Sequence, residues 1–116
     1  MSQTIKITIE ELEAYLLDHY STNGIDQSLF MKLVEEIGEV AEVLNKKAGR
    51  KSSNHEDLKT QLGNELADTI HYCIAISALN DININDFILS KDKKAAIKYK
   101  HKTNLEKFIL SKRNND

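Results

Sequence analysis

The sequence predicts an all-α protein, and three observations carry the prediction. The 116 residues include no proline and only four glycines, so little in the chain breaks a helix. Apolar residues recur every three or four positions over long stretches, the period of a helix with one buried face. Helix-disfavouring residues gather in short clusters, "STNGID", "GRKSSN" and "NDIN", which divide the chain into four helical segments.

The first helix begins at Thr8. "TIEE" reads as a capping box, with Glu11 three residues after the cap, and Ile9, Leu12, Leu16 and Tyr20 follow at helical spacing. The second helix runs from about Gln27 to Ala48, with Asp26 as N-cap and Gly49 as its C-terminal stop. The third starts near Ser53 or Asn54 and continues to about Leu79. Asn83 or Asn85 caps a fourth, which extends as far as Lys112, with "SKDKK" as the place for an interruption and a frayed "RNND" at the end. A chain of this length supports one domain with one modest core. The expected domain is therefore residues 1–116, its core about 8–112.

Composition narrows the function classes. The only cysteine, Cys73, excludes an internal disulfide framework and a cysteine metal cluster; its place among apolar neighbours predicts a buried thiol. There is no signal-peptide pattern at the N-terminus and no run of about 18 apolar residues, so a membrane partner is not expected and a cytoplasmic location is. Glycine-rich phosphate loops, Ser/His/Asp sets and nucleic-acid motifs are absent, so nucleic acid is not an expected partner. The net charge of −2 conceals an asymmetry: residues 1–83 hold 7 Lys/Arg and 14 Asp/Glu, a balance of −7, and residues 84–116 hold 9 and 4, a balance of +5. Such a chain pairs an acidic body with a basic C-terminal arm.

The acidic residues are not scattered. At about 100° per residue, with Leu33 at zero, Leu29, Phe30, Ile37, Val40, Ala41 and Leu44 form a predicted core stripe. Glu35 and Glu42 fall on the opposite face. Glu36 and Glu39 fall on the flank of the stripe, at about 300° and 240°, with Val43 between them. The third helix repeats the pattern. With Leu62 at zero, Leu58, Leu66, Ile70, Cys73 and Ile76 make the stripe, and Glu65 and Asp68 occupy the same flank at about 300° and 240°, with Tyr72 between them. Antiparallel packing of the two helices would bring four carboxylates together. Ionised carboxylates crowded at a half-buried place repel one another and lose hydration unless a cation neutralises them. All-oxygen ligands suit Mg²⁺, with Mn²⁺ as a substitute, and Mg²⁺ points to phosphate ester or anhydride chemistry.

"EEIGE" (35–39) followed by "ELAD" (65–68) reads as E-E-x-x-E…E-x-x-D. With its flanking segments "LFMKLVEEIGEVAEVL" and "NELADTIHYCIAISALNDINI", it resembles the MazG-like, all-α nucleoside triphosphate pyrophosphatase superfamily, in its dCTP pyrophosphatase-like branch, over roughly residues 27–108. The resemblance implies a four-helix protomer that associates into a helical-bundle homodimer or homotetramer. It implies a Mg²⁺-dependent reaction, (d)NTP + H₂O to (d)NMP + pyrophosphate, serving nucleotide-pool housecleaning. It places the metal on Glu36, Glu39, Glu65 and Asp68, makes Glu36 and Glu39 catalytic, and gives Glu35 a supporting or base role. Tyr72 stands where such relatives carry a tyrosine, and "KHKTNLEKF" (100–108) resembles a K-x-x-x-N-x-x-K/R segment. Lys100, Asn104 and Lys107, on one face of a continuous helix, would grip the triphosphate.

Two other readings compete. The fold could serve as a non-catalytic helical oligomerisation module, since "YCIAISAL" (72–79) is apolar around most of its circumference and invites self-association. "DTIH" (68–71) resembles half of a di-iron carboxylate site, but His71 falls off the acidic flank and no second such motif exists. His19, His55 and His101 belong to no constellation.

Overall fold

The computed structural model describes residues 4–21, 26–49 and 57–115. They contain five helices and no strand: α1 (Ile9–His19), α2 (Asp26–Lys47), α3 (Leu58–Leu79), α4 (Ile84–Lys98) and α5 (Leu105–Asn114). The chain divides into two compact units, Met1–Ile82 and Asn83–Asp116.

In the first unit the capping box forms as the sequence predicts. The Thr8 side chain accepts from the Glu11 backbone, and Glu11 accepts from the Thr8 N–H at 2.7 Å. α2 already includes Asp26. Gly49 follows its end at φ +78°, in the left-handed region that glycine tolerates. Ser53 and Asn54, expected to start α3, lie outside the described residues. The observed cap is Asp57, whose carboxylate accepts from the Thr60 N–H and from the Thr60 hydroxyl.

α3 is the central helix and packs against both α1 and α2. Its C-cap, Asn80, donates to Asp26 at the start of α2 at 3.3 Å, so α2 and α3 run antiparallel. The Ser77 hydroxyl lies 2.9 Å from both Glu13 on α1 and the Ile82 carbonyl, joining α1 to the turn that ends α3. The core of the unit is Leu16 from α1, Leu29 and Val43 from α2, and Ile74, Ala75 and Ala78 from α3. Leu16 is fully buried, which is worth about 2 kcal/mol of apolar transfer.

The wheel expectation for the core needs correction. The face that α2 buries carries Leu29, Leu33, Glu36, Val40 and Val43. Its centre is turned about 60° from that of the predicted stripe, toward the acidic flank. Phe30, Ile37, Ala41 and Leu44 are consequently exposed, as are Leu66, Ile70 and Cys73 on α3. Cys73 is thus not the buried thiol its neighbours predicted. "YCIAISAL" is also better covered than its composition indicates, since Cys73 alone in it is exposed. The physical cause is that α3 has neighbours on two sides. A helix touched on one side only buries one stripe; α3 buries its α1 side as well and leaves the Leu66–Cys73 edge open.

The second unit holds another correction. The expected fourth helix is two helices, and the break is not at "SKDKK", which lies inside α4, but at Tyr99–Asn104. Lys100 adopts φ +56°, and the His101 N–H reaches back to the Ala96 carbonyl at 2.9 Å, closing α4 with a left-handed cap. Asn104 then caps α5, its side chain accepting from the Lys107 N–H at 2.9 Å. The Leu105 N–H donates to Asp92 of α4 at 2.6 Å, and Lys93 pairs with Glu106 at 3.1 Å. α5 runs to Asn114, so the first two residues of "RNND" are helical; Asn115 is its C-cap, and Asp116 lies outside the described residues.

Candidate functional site

Glu36 of α2 and Glu65 and Asp68 of α3 converge. Each offers one carboxylate oxygen, and the three oxygens lie within 4.8 Å of one another. Glu36 and Glu65 are half-buried and Asp68 is exposed. The rotation of α2 accounts for this: Glu36 occupies the middle of the packed face, so its carboxylate enters the α2–α3 seam. Antiparallel packing puts flanks of equal angular offset on the same edge of a helix pair, and Glu39 and Asp68 stand on one such edge.

Two oxygens in the seam, Glu36 Oε2 and Glu65 Oε2, are buried with no hydrogen-bond partner. Buried polar atoms are rarely left so. Carboxylates cannot donate to one another, and the crowding acts on Glu65 most. Contact with the Glu39 carboxyl, then with Glu36, and then burial hold the Glu65 carboxyl up, to about 8. The seam therefore has two ways to be satisfied: a proton on Glu65, which supplies the missing donor, or a cation.

The donor set fits a hard divalent ion. It is all oxygen, anionic, half-buried, and carries orphaned oxygens directed into one seam. The described residues of α2 and α3 that would hold such an ion are Glu36, Glu65 and Asp68, with Glu39 beside Glu65.

The raised pKa of Glu65 has a measurable consequence. A group whose folded-state pKa lies above its unfolded value contributes stability that is complete below the unfolded value and is lost as pH rises through the folded one. Here that window runs from 4.5 to about 8. In chelator, the melting temperature of the wild type is expected to fall relative to that of Glu65→Gln between pH 5.5 and 8.5, with millimolar Mg²⁺ opposing the fall. A wild-type-minus-variant difference that stays flat across this range would refute the shared-proton account.

The other sequence-predicted residues divide. Glu35 is exposed and pairs with Lys32 at 3.5 Å, outside the converging group. Glu39 is exposed and meets the seam through Glu65. Tyr72 is half-buried two turns after Glu65. Lys100, Asn104 and Lys107 are not on one helix, because the chain breaks between α4 and α5. They nonetheless line one cleft of about 380 Å³ in the second unit, together with Lys93 and Lys102. The turn, rather than helical periodicity, gathers them. His71 is not among the three converging groups; it bonds to Tyr20 at 2.7 Å. Sequence reasoning missed this pair. Its only signal is that Tyr20 continues the apolar spacing of α1 while His71 sits on the α3 face away from the acids.

A helical unit with an acidic seam between two antiparallel helices defines a class: an all-α protein built around a candidate divalent-cation centre. Residues 26–104 match the MazG nucleotide pyrophosphohydrolase domain, and the chain belongs to that family. The match spans the acidic seam and most of the lysine cleft. Proteins of this family typically depend on a divalent metal. None of the curated proteins compared with the chain matches it. Among the described residues no helix is long and apolar enough to cross a membrane.

Proposed function

We propose that the protein is a Mg²⁺-dependent nucleoside triphosphate pyrophosphohydrolase that converts (d)NTP and water to (d)NMP and pyrophosphate, with a nucleotide-pool housecleaning role. The observation that carries this reading is the convergence of Glu36, Glu65 and Asp68 with two orphaned oxygens in the seam, in a chain of the pyrophosphohydrolase family. Glu36, Glu39, Glu65 and Asp68 hold the cation. The chemistry a divalent ion supplies at such a centre is neutralisation of phosphate charge and activation of water.

The chain's own groups do the rest. In the proposed reaction, the oxygen of water bonds to the α-phosphorus. The bond from that phosphorus to the oxygen bridging the α- and β-phosphates breaks, and pyrophosphate leaves. The proton released by water goes to a carboxylate. Glu39, exposed at the rim and in contact with the Glu65 carboxyl, is the best situated acceptor. Within the second unit, the cleft lined by Lys100, Asn104 and Lys107 suits phosphate oxygens. Asn104 donates to a phosphate oxygen from its amide NH2, which stays available while its carbonyl oxygen caps α5. Tyr72 faces the base or sugar.

Self-association belongs to the same reading. The edges of α2 and α3 opposite Glu39 and Asp68 carry Phe30, Val34, Ile37, Leu66 and Ile70, about half exposed. A continuous apolar edge of this kind marks an interface, and a second copy of the chain would cover it. The same surface supports the alternative of a helical association module without catalysis.

The deciding experiment is a panel of the common NTPs and dNTPs with and without Mg²⁺, separating NMP from NDP products. The expected result is NMP and pyrophosphate in equal amounts, abolished by chelator. Orthophosphate as the first product excludes the proposal. So does complete inactivity with no Mg²⁺-dependent thermal shift, which would leave the association module.

A further inference from the structure

α1 ends in a tyrosine that reaches across to another helix. The Tyr20 hydroxyl lies 2.7 Å from His71 Nε2 on α3. Their rings meet edge to face with centroids 5.7 Å apart. His71 meets Tyr72 in the same manner at 4.9 Å, and His19 packs on Tyr20 at 4.6 Å. Tyr20, His71 and Tyr72 are all half-buried.

A histidine three residues from a candidate cation ligand has two ordinary roles, and neither applies here. It is not one of the groups that converge with Asp68, and it is not free in solvent, because its Nε2 is engaged. The bond forms with either tautomer: the phenol donates to an unprotonated Nε2, or a protonated Nε2 donates to the phenol oxygen. Partial burial, with the phenols of Tyr72 and Tyr15 nearby, raises the Tyr20 pKa, so the hydroxyl keeps its proton. A ring tethered at Nε2 loses rotation about its χ2 bond. The edge it presents to Tyr72 is then fixed, and Tyr72 stands on the Glu65 flank, about 20° from it on the wheel.

We propose that Tyr20 and His71 are positioning residues for the nucleoside: their hydrogen bond locks the imidazole against Tyr72 and holds the Tyr72 ring as the wall on which the base or sugar rests beside the carboxylate seam. This rests on the reading of the protein as a nucleotide pyrophosphohydrolase. α1 thereby acts on substrate binding without contributing to the seam.

Tyr20→Phe tests it, because it keeps the ring packing and deletes the hydroxyl. KM for the preferred nucleotide is expected to rise about five- to tenfold, the order of one hydrogen bond's ordering effect. kcat should stay within about twofold, the pattern of lost substrate binding rather than lost transition-state contact. The Mg²⁺ concentration for half-maximal rate should not move, and the spread of kcat/KM among the four bases should narrow. His71→Phe, which keeps a ring without the nitrogen, is expected to do the same and replaces Tyr20→Phe should that variant fail to fold. An unchanged KM, or a lowered melting temperature with reduced kcat at unchanged KM, overturns the inference and leaves the enzymatic reading standing. A wild type that forms no NMP from any nucleotide overturns both.

Discussion

Glu36→Gln is expected to reduce pyrophosphate release by at least about 10³-fold while leaving the metal-free protein no less stable than the wild type. Both halves follow from where Glu36 lies. Its carboxylate stands in the packed seam, and one oxygen has no hydrogen-bond partner. Glutamine has the same shape, so packing is kept. It removes a negative charge from a crowded set and brings an amide donor toward Glu65, which relieves the metal-free state. The same change weakens cation binding and the charge neutralisation it provides. That neutralisation is worth several kcal/mol in the transition state, and each 1.36 kcal/mol is about tenfold in rate. Steady-state rates with saturating Mg²⁺, and melting curves in chelator, measure the two halves separately. Activity within tenfold of the wild type would remove Glu36 from the centre. Glu35→Ala is the contrasting variant. Glu35 is exposed and paired with Lys32, so its loss is expected to change the rate less than about threefold, the scale of an exposed ion pair. A larger drop would restore to Glu35 the base role that the family pattern offers it.

The double variant Ile37→Glu with Ile70→Glu is expected to turn an oligomer into monomers. Ile37 is 53% exposed and Ile70 is 54% exposed, on helices that otherwise pack closely. Neither side chain belongs to the core of the unit, so the fold should tolerate the change. In a symmetric interface each residue counts twice. Burying the exposed part of an isoleucine contributes about 1–2 kcal/mol, and an unpaired carboxylate there costs several more. Together these should weaken association by at least about 10³-fold. Sedimentation velocity measures it directly. Cys73 supplies an independent reading, because its thiol is exposed in the single chain on the same edge. It should react slowly with a maleimide in the wild type and fast in the variant. A wild type that sediments as a monomer at high micromolar concentration, with Cys73 fully reactive, would dismiss the interface.

Much of the site was legible because helical periodicity is a local property. Glu36 and Glu39, and Glu65 and Asp68, sit three residues apart on segments whose helical period is plain, although the side each helix buries was not. Their shared flank follows from the rotation per residue alone. The capping box at Thr8 was readable for the same reason, since a cap needs only residues within one turn; the cap of α4 was narrowed to Asn83 or Asn85, and it is Asn83. Lys100, Asn104 and Lys107 came together for a different reason from the one periodicity gives. The turn depends on a non-glycine residue, Lys100, at positive φ, and on Asp92 and Asn104 satisfying the N–H groups of α5. An N–H bound thirteen residues back leaves no periodic trace.

What the sequence determined by itself is the all-helical class, the identity of the acidic residues, and their division between the two faces of α2. These are set by backbone preference and side-chain spacing, which act over a few residues. Tertiary structure alone decided how far α2 turns about its axis. That turn puts Glu36 rather than Ile37 in the seam and leaves an apolar edge open; the packing of α1 on α3 brings Tyr20 to His71. The reason is that the azimuth of a helix minimises no local energy. It is fixed by the sum of contacts with its neighbours, and α3, packed on two sides, sets it for both α1 and α2.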